Sequence, residues 1–331
     1  MRLPRLKTLS VFLLAAVLTA PAWGADTALP GTLNYIEGQA SVGDQPLNAK
    51  SIGSVELQPG QSLSTGNGKA EILLTPGVFL RVGDNSMVKM VSSSLTNTEA
   101  DLLKGQATVE VAEIHPYNQL RIGEDGASTQ MVKEGLYAFD ADHEQVRVLN
   151  GEAYVQDNDQ NVKVKGGHEL DLKASGQLKT TKFDKNTFEA SDLYRFSDLR
   201  SQYLAEANVD IARNYYAGSP GWYGAGWYWN PWFAGYTWIP GDGIFYSPFG
   251  WGFYSPWYVG YAPYYGYGYR RGFGYHEHYY AGRALPPPAA RVSPGRAFAP
   301  APSTRPSHGV AGPAFHGGGG FHGGSGGGFH H

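Results

Sequence analysis

Tryptophan and histidine are the residues of this sequence whose types and spacing could do chemistry. Seven of the eight tryptophans fall between positions 222 and 257, in a segment rich in glycine and tyrosine. Indole rings have flat apolar faces that stack on sugar rings or on other aromatic side chains, so this cluster indicates binding or self-association. The predicted ligand-binding or partner-binding residues are Trp222, Trp227, Trp229, Trp232, Trp238, Trp251 and Trp257.

The histidines suggest metal binding near the end of the chain. Seven of the ten follow Gly274, and neutral imidazole is a ligand for copper, nickel or zinc. The pairs best placed for ligation are His276 with His278, and His330 with His331. A specific site also needs fixed geometry and outer partners, which glycine-rich sequence does not supply. We therefore expect adventitious metal binding and no resident cofactor.

No residue set matches a catalytic or nucleotide-binding motif. Residues 157–161 begin like a calcium loop, but Val162 stands where that loop needs glycine and His168 where it needs glutamate. Residues 66–69 lack the first glycine and the final Ser or Thr of a phosphate-binding loop. We expect these segments, and residues 140–144, to be turns in a protein that is not an enzyme.

The first residues indicate export. A short cationic segment, residues 1–7, precedes an apolar stretch, Thr8–Ala22, and small residues allow cleavage after Gly24. The apolar stretch is shorter than the roughly 20 residues that span a bilayer, and Pro21 closes it. Residues 1–24 are therefore predicted to be a signal peptide, and the mature chain to be periplasmic or extracellular without a transmembrane helix. An uncleaved anchor is the alternative.

Composition restricts the partners. The chain has no cysteine, so disulfides and thiolate metal sites are excluded and stability must come from a buried core. Residues 25–217 carry 17 basic and 27 acidic side chains, whereas the chain from Gly218 onward carries six arginines and two acidic residues. The two parts could attract each other, or the second could bind anionic surfaces. Nucleic acid is not an expected partner because the folded part is strongly acidic.

Alternating apolar residues predict a β-domain over residues 25–183. Between Leu33 and Leu178 they occur in short runs separated by turn residues, which is typical of half-buried strands. A set of short strands of this kind indicates a mainly β fold, either an antiparallel sandwich, a jelly roll or a short solenoid. Turns are predicted at residues 66–68, 76–77, 83–85 and 157–159.

One phrase recurs three times in this region. Residues 38–42, 105–109 and 151–155 each contain glycine, a polar residue, alanine, one further residue and valine. Glycine permits a bend, and the alanine and valine two positions apart share one face of a strand. We expect three equivalent strands that begin at equivalent bends.

A helix is predicted over residues 184–217. Its apolar residues follow steps of three or four, while Asp198, Arg200, Gln202 and Glu206 are expected on the other side. This amphipathic helix is predicted to dock on the β-domain, and dimerisation or partner binding is the alternative. The predicted docking face consists of Leu193, Phe196, Leu199, Tyr203, Ala207, Ile211 and Tyr215.

The rest of the chain is of low complexity. Residues 218–281 are rich in glycine, tyrosine and tryptophan, and irregular or marginal order is expected because ordering glycine is entropically costly. Residues 282–331 are rich first in proline and alanine and then in glycine and histidine, which predicts a disordered tail.

The β-domain resembles the FecR domain family. The resemblance rests on residues 38–42, on 57–74 with the phrase Leu-Ser-Thr-Gly-Asn-Gly-Lys-Ala-Glu-Ile-Leu-Leu, and on 76–82, and it covers about residues 31–172. It implies a β-rich periplasmic module, which in founding members relays an iron-uptake signal to a cytoplasmic sigma factor. Those members carry a cytoplasmic domain before a membrane helix, whereas seven residues precede the apolar stretch here.

These observations predict a non-catalytic envelope protein with a binding or structural role. Its expected partners are an envelope polymer, another protein or further copies of the same chain. One alternative is a periplasmic FecR-type sensor, active in signal transduction and held by an uncleaved anchor. The other is a glycan-binding or peptidoglycan-binding module that uses the aromatic segment.

Overall fold

The computed structural model of the protein describes residues 28–174 and 176–263. Fifteen strands form the main sheet of this described part. They are β1 (Leu33–Val42), β2 (Gln45–Pro46), β3 (Ser62–Leu73), β4 (Val78–Val82), β5 (Met87–Ser94), β6 (Asn97–Lys104), β7 (Gln106–Val111), β8 (Gln119–Glu124), β9 (Ala127–Met131), β10 (Gly135–Asp140), β11 (Gln145–Asn150), β12 (Glu152–Asp157), β13 (Gln160–Lys165), β14 (His168–Asp171) and β15 (Thr180–Lys182).

Thirteen of these strands follow one path through the sheet. Outside that path, β1 pairs with both β3 and β2. Strands β6 and β8 run parallel, and neighbours such as β4 and β7 run antiparallel. The order along the path is β13, β12, β9, β8, β6, β5, β3, β4, β7, β10, β11, β14 and β15.

The sheet curls until its two ends approach. Gln160 on β13 donates to the carbonyl of Gly176 (2.9 Å) and accepts from the amide of Leu178 (2.8 Å), just before β15. Val164 from one end of the path and Leu170 from the other belong to one hydrophobic core. The predicted mainly β fold is confirmed, and its form is a sandwich that approaches a closed barrel. Each fully buried aliphatic side chain in this core contributes about 1.5–3 kcal/mol relative to exposure.

The turn predictions have two outcomes. Residues 76–77 and 157–159 lie in or beside turns between paired strands, as predicted, and residues 141–144 also form a turn. Residues 83–85 lie in or beside a predicted turn too, but it connects β4 to β5, which both pair with β3. The prediction for residues 66–68 is wrong, because they lie inside β3. There β3 pairs closely with β1 at a register shift, and a Cβ added to Gly68 would stand 2.3 Å from the Glu37 carbonyl oxygen. The glycine allows backbone contact rather than chain reversal.

The recurring glycines all adopt positive φ angles, of 64° at Gly38, 74° at Gly105 and 97° at Gly151. Gly105 and Gly151 stand immediately before β7 and β12, so two of the three phrases begin strands at a bend. Gly38 instead lies within β1, where the pairing with β3 shifts register.

The helical region contains two helices, α1 (Lys185–Glu189) and α2 (Asp192–Tyr216). Ser191 caps α2 by accepting from the amide of Tyr194, and Asp192 in its first turn pairs with Lys69 of β3 (2.6 Å). Helix α2 docks on the sheet as predicted, with Ser197 hydrogen-bonded to Thr108 of β7 (2.8 Å). No helix of the described segments is long and apolar enough to span a membrane.

The docking face of α2 agrees with the predicted one only in part. Of the seven predicted residues, the structure buries Leu193, Phe196, Ala207 and Ile211. Arg200, expected away from the interface, is only 8% exposed, while Leu199, Tyr203 and Tyr215 are half-buried. The helix is covered on two sides, so its buried positions include polar residues, each of which makes at least one side-chain hydrogen bond. Those polar buried positions are Ser197, Arg200, Ser201 and Asn208.

The glycine-rich and tryptophan-rich segment folds into two hairpins. The first pairs β16 (Gly226–Asn230) with β17 (Gly235–Ile239), and the second pairs β18 (Ile244–Tyr246) with β19 (Gly252–Tyr254). The expectation of irregular or marginal order is therefore wrong for residues 226–254. Burial of several large rings offsets the entropic cost of ordering glycine.

Three of the sequence predictions concern segments for which the structure gives no description. The predicted signal peptide, the end of the glycine-rich segment beyond residue 263 and the predicted tail at 282–331 lie outside the described residues.

Candidate binding surface

The structure divides the seven predicted tryptophans by exposure. Trp229, Trp232 and Trp257 are 41%, 79% and 64% exposed. Trp227 and Trp238 are buried and cannot contact a ligand without unfolding, so for these two the structure favours a packing role. The remaining members, Trp222 and Trp251, are half-buried. We call Trp229, Trp232 and Trp257 the exposed tryptophans.

Trp232 lies at the tip of the first hairpin, in a turn held by Asn230. The Asn230 side-chain oxygen accepts from the amides of Trp232 (2.9 Å) and Phe233 (3.3 Å). Its amide group donates to helix α2, to the carbonyl of Ala207 (3.3 Å) and the carboxylate of Asp210 (3.0 Å). A single buried side chain thus fixes both the shape of the turn and its position on the helix.

Trp229 lies beside the first part of the chain. Its ring meets that of Tyr236 edge to face, with centroids 5.2 Å apart. A Cβ added to Gly53 would stand 2.6 Å from the Trp229 ring, so glycine is needed at that position for the indole to lie where it does.

Trp257 follows the second hairpin and pairs with Trp222, their centroids 5.9 Å apart at an interplanar angle of 78°. Two residues further on, Val259 is buried in a small cluster with Val209 and Ala212 of α2. This contact ties the Trp257 segment to the last turns of the helix.

Beneath the exposed rings, the hairpins share a core with the sheet and the helix. Trp227 meets Phe79 of β4 edge to face at 5.1 Å, and Trp238 lies 5.3 Å from Phe253. Leu204 and Ala205 of α2 belong to the same cluster. Buried aromatic residues dominate the energetics of such contacts, so the hairpins are an integral layer of the fold.

Two buried asparagines use their side chains to hydrogen-bond backbone groups of the hairpin strands β17 and β19, as a neighbouring strand would. Asn34 accepts from the Tyr236 amide (2.7 Å) and donates to the Tyr236 carbonyl (3.0 Å). Asn208 of α2 accepts from the Tyr254 amide (2.8 Å) and donates to the carbonyls of Trp238 (2.9 Å) and Tyr254 (3.0 Å). Backbone groups that would otherwise be buried without partners are thereby paired.

A buried ionic network joins α2 to the sheet. Glu71 accepts from Arg81 of β4 (2.9 Å) and from Arg200 of α2 (2.8 Å). Glu110 of β7 accepts from Arg81 and, through its other oxygen, from the hydroxyl of Ser201 (2.8 Å). Two carboxylates and two guanidiniums make the network formally neutral, which is the condition under which buried charge is tolerated.

The two carboxyls of this network titrate differently. Burial raises the pKa of Glu71, but Arg200 and Arg81 outweigh burial and hold that pKa below its ordinary value. Burial dominates at Glu110 and keeps its pKa above the usual range despite Arg81 and Ser201.

Sequence reasoning missed the residues that hold this surface in place. The signals were present: Glu71, Arg81 and Glu110 each interrupt an apolar strand with a charge. Ser197, Ser201, Asn208 and Arg200 place polar groups along one side of α2. A periodicity that counts apolar residues alone cannot distinguish such paired polar groups from solvated ones.

The predicted metal-binding histidines, His276, His278, His330 and His331, lie outside the described residues. Within residues 28–174 and 176–263, no group of three or more His, Asp or Glu side chains is placed to hold a metal ion.

Comparison with known proteins gives limited similarity. No protein-family model matches the chain, and no curated protein matches it. Two crystal structures of a candidate anti-sigma factor from Parabacteroides distasonis ATCC 8503 are similar to part of it, at 13% and 12% identity and a TM-score of 0.34 in both cases. The match covers 39% of this chain, and 62% and 63% of those chains, which is less than two thirds of their length. Similarity at this level does not transfer a function.

Proposed function

We propose that this protein is a non-catalytic, exported binding module of the cell envelope. In this proposal the β-domain and helix α2 form a rigid base, and the exposed tryptophans contact an envelope polymer or protein. The observation that carries the proposal is Trp232, which is 79% exposed although Asn230 ties its turn to α2.

The physical argument is preorganisation. Ordering a flexible aromatic loop on binding costs conformational entropy, whereas a ring held in advance does not incur that cost again. Tryptophan is also among the residue types that are enriched at the energetic hot spots of binding interfaces. The anchoring by Asn230 and Val259 therefore favours recognition over an accidental exposure of apolar surface.

A glycan is the polymer we favour as ligand. Indole faces pack on the apolar faces of sugar rings, and neutral stacking does not require the positive charge that an anionic ligand would need. Binding of this kind resists salt, which separates it from electrostatic attachment.

The experiment is a pull-down of the purified protein on insoluble peptidoglycan and envelope polysaccharides over a salt series. The variants are Trp232→Ala and Trp257→Ala. The matched control is Tyr117→Ala, which removes a ring 67% exposed on the β-domain. We expect salt-resistant binding that falls at least about tenfold in a tryptophan variant and is unchanged in the control.

Equal binding by all variants would contradict a role for the exposed tryptophans. If no form binds any polymer while sedimentation shows concentration-dependent association lost in Trp232→Ala, the partner is a further copy of the chain.

The competing proposal is a FecR-type regulator, which the resemblance over residues 31–172 favours. It requires that the N-terminal segment stays attached as an anchor. Mass spectrometry of the native N-terminus separates the two: a chain beginning at Ala25 supports cleavage and export, and a retained segment 1–24 supports the regulator.

A further inference from the structure

The described chain leaves the second hairpin through a group of exposed rings. Trp257, Tyr258 and Tyr261, all within five residues, are 64%, 38% and 77% exposed. The backbone that carries them is held in place, because Val259 is buried against the last turns of α2. Exposed rings on an anchored backbone offer a surface that a further aromatic segment can cover. We call Trp257, Tyr258 and Tyr261 the exit surface.

One carboxylate lies beside the exit surface. Asp242 is the one charged side chain in residues 218–263, and it is exposed. It accepts from the amide of Gly243 (2.8 Å), whose carbonyl accepts from the amide of Ser255 (3.1 Å), two residues before Trp257. No ion pair within the described residues includes Asp242. A cation supplied from elsewhere can therefore pair with it.

The sequence that follows Pro263 matches this surface in composition and charge. Eight of the 17 residues in 264–280 are aromatic, close to the 13 of 29 in 226–254, where the rings pack as two hairpins. The first charged residues after Asp242 are Arg270 and Arg271. The segment thus supplies both the rings and the cations that the exit surface lacks.

The chain after Pro263 is long enough to reach back to Asp242. Arg270 lies seven residues beyond Pro263. A chain of that length spans at most about 25 Å when extended and about 15 Å as a random coil. Between Ser255 and Pro263 the backbone is compact, because three turn hydrogen bonds of 3.0 Å close there. A short tether also gives an effective concentration in the millimolar range, so weak contacts suffice for docking.

We propose that residues 264–280 fold back on the exit surface of the same chain, with Arg270 or Arg271 paired with Asp242. Aromatic rings that pack edge to face cover apolar area on both sides. A guanidinium contacts a carboxylate through its donors and a ring through its face, so arginine suits a site that offers both. A second copy of the chain carries the same segment, but the tether favours the intramolecular contact.

This docking reaches beyond the proposed function and affects its surface. The segment competes with an envelope ligand for Trp257, whereas Trp232 at the tip of the first hairpin stays available. The test therefore compares these two indoles in the full chain without any ligand, so that its failure leaves the proposed function to be judged by the pull-down.

The measurement is the accessibility of single indoles by fluorine NMR. The protein is labelled with 5-fluorotryptophan, and the signals of Trp257 and Trp232 are identified from Trp257→Phe and Trp232→Phe. A neutral gadolinium chelate then relaxes each signal according to its exposure to solvent. In the test variant all eight aromatic residues of 264–280 are replaced by serine.

The matched control makes the same kind of change further along the chain. It replaces Phe315, Phe321 and Phe329 with serine and leaves residues 264–280 intact. Two charge variants, Asp242→Asn and the double variant Arg270→Gln/Arg271→Gln, test the ion pair.

We expect the chelate to relax Trp257 about tenfold less than Trp232 in the wild type, because a segment docked about nine-tenths of the time leaves the ring open about one-tenth of the time. In the serine variant the two indoles should agree within about twofold, and the control should behave as the wild type does. Each charge variant should raise the relaxation of Trp257 at least about twofold, and combining them should add little.

Three results would overturn the proposal. The first is equal relaxation of Trp257 in the wild type and in the serine variant. The second is loss of the protection in the control variant as well, which would make it unspecific. The third is protection that disappears on dilution, which would assign the exit surface to another copy of the chain.

Discussion

The side chain of Asn34 hydrogen-bonds both backbone groups of Tyr236, a residue 202 positions further along the chain. It occupies the place that a neighbouring strand would take beside β17. The same amide also donates to Glu71 (2.9 Å), so one residue connects the first hairpin to the ionic network under α2.

Replacing Asn34 should therefore destabilise the fold. In Asn34→Ala the Tyr236 amide and carbonyl lose their buried partner, and we expect a loss of about 2–4 kcal/mol in the free energy of unfolding. Urea denaturation measures this loss. The exposed Asn67→Ala variant should change stability by less than about 0.5 kcal/mol, and an equally small effect at Asn34 would contradict the role assigned to it.

The aromatic hairpins should be required for a stable β-domain. A chain ending at Ala217 exposes the cluster of Leu73, Phe79 and Leu204, so we expect it to bind a hydrophobic dye and to unfold without a cooperative transition. A chain ending at Pro263 keeps that cluster covered and should melt as the full chain does. Similar melting of the two truncated chains would show that the hairpins are dispensable.

The buried rings can be tested one at a time. Trp238 is fully buried, and Trp238→Ala should cost about 3–5 kcal/mol of stability. Trp232→Ala, at an exposed turn, should cost less than about 0.5 kcal/mol while reducing binding. Thermal unfolding monitored by circular dichroism compares the two variants. A large stability loss in Trp232→Ala would assign that ring to packing.

Removing one partner from the ionic network should lower the free energy of unfolding more than removing a matched pair of opposite charges. Arg200→Met leaves Glu71 with a buried charge that is only partly compensated, and we expect a loss of about 3–5 kcal/mol. In the double variant Glu71→Gln/Arg200→Met the unpaired charge is gone, so stability should partly recover. A double-mutant cycle from urea denaturation measures the coupling, and additive losses would contradict it.

Glu124 should make the fold less stable as pH rises. Its pKa is about 8 when folded, against an ordinary value of 4.5, so the folded state binds more protons than the unfolded state between these values. The stabilisation is fully present below pH 4.5 and is lost as pH rises through 8. At about 1.4 kcal/mol per pH unit the difference approaches about 4–5 kcal/mol.

The measurement is the difference in unfolding free energy between wild type and Glu124→Gln from pH 4.5 to 8.5. We expect the variant to gain relative stability throughout this window, because Gln has no proton to lose. A difference that does not change with pH would show that Glu124 keeps an ordinary pKa in the folded state.

Local patterns predicted the elements of this fold well where they depend on neighbouring residues. The alternation at Val88 and Met90 fits a strand with one buried face, and the turn residues Asn85 and Asn158 adopt positive φ angles in short connections between strands. Steps of three and four from Leu193 onward likewise predicted α2.

The same patterns failed where distant segments meet. Gly66 and Gly68 have turn chemistry, yet β3 continues through them because β1 pairs closely with it there. Arg200 appeared solvated by periodicity, yet Glu71 lies on a strand that only the folded chain brings beneath it. Glycine content predicted marginal order for residues 226–254, but Trp238 is fully buried against the rest of the protein.

By itself, the sequence determined a mainly β domain with a docking helix and a cluster of indoles, because hydrophobic periodicity and turn chemistry are local properties of the chain. Only the tertiary structure decided which indoles are exposed, which polar residues hold them and which carboxyls are buried. Those outcomes depend on burial and on hydrogen bonds between residues far apart in sequence, such as Asn34 and Tyr236. A local sequence pattern cannot predict such long-range burial and hydrogen bonding.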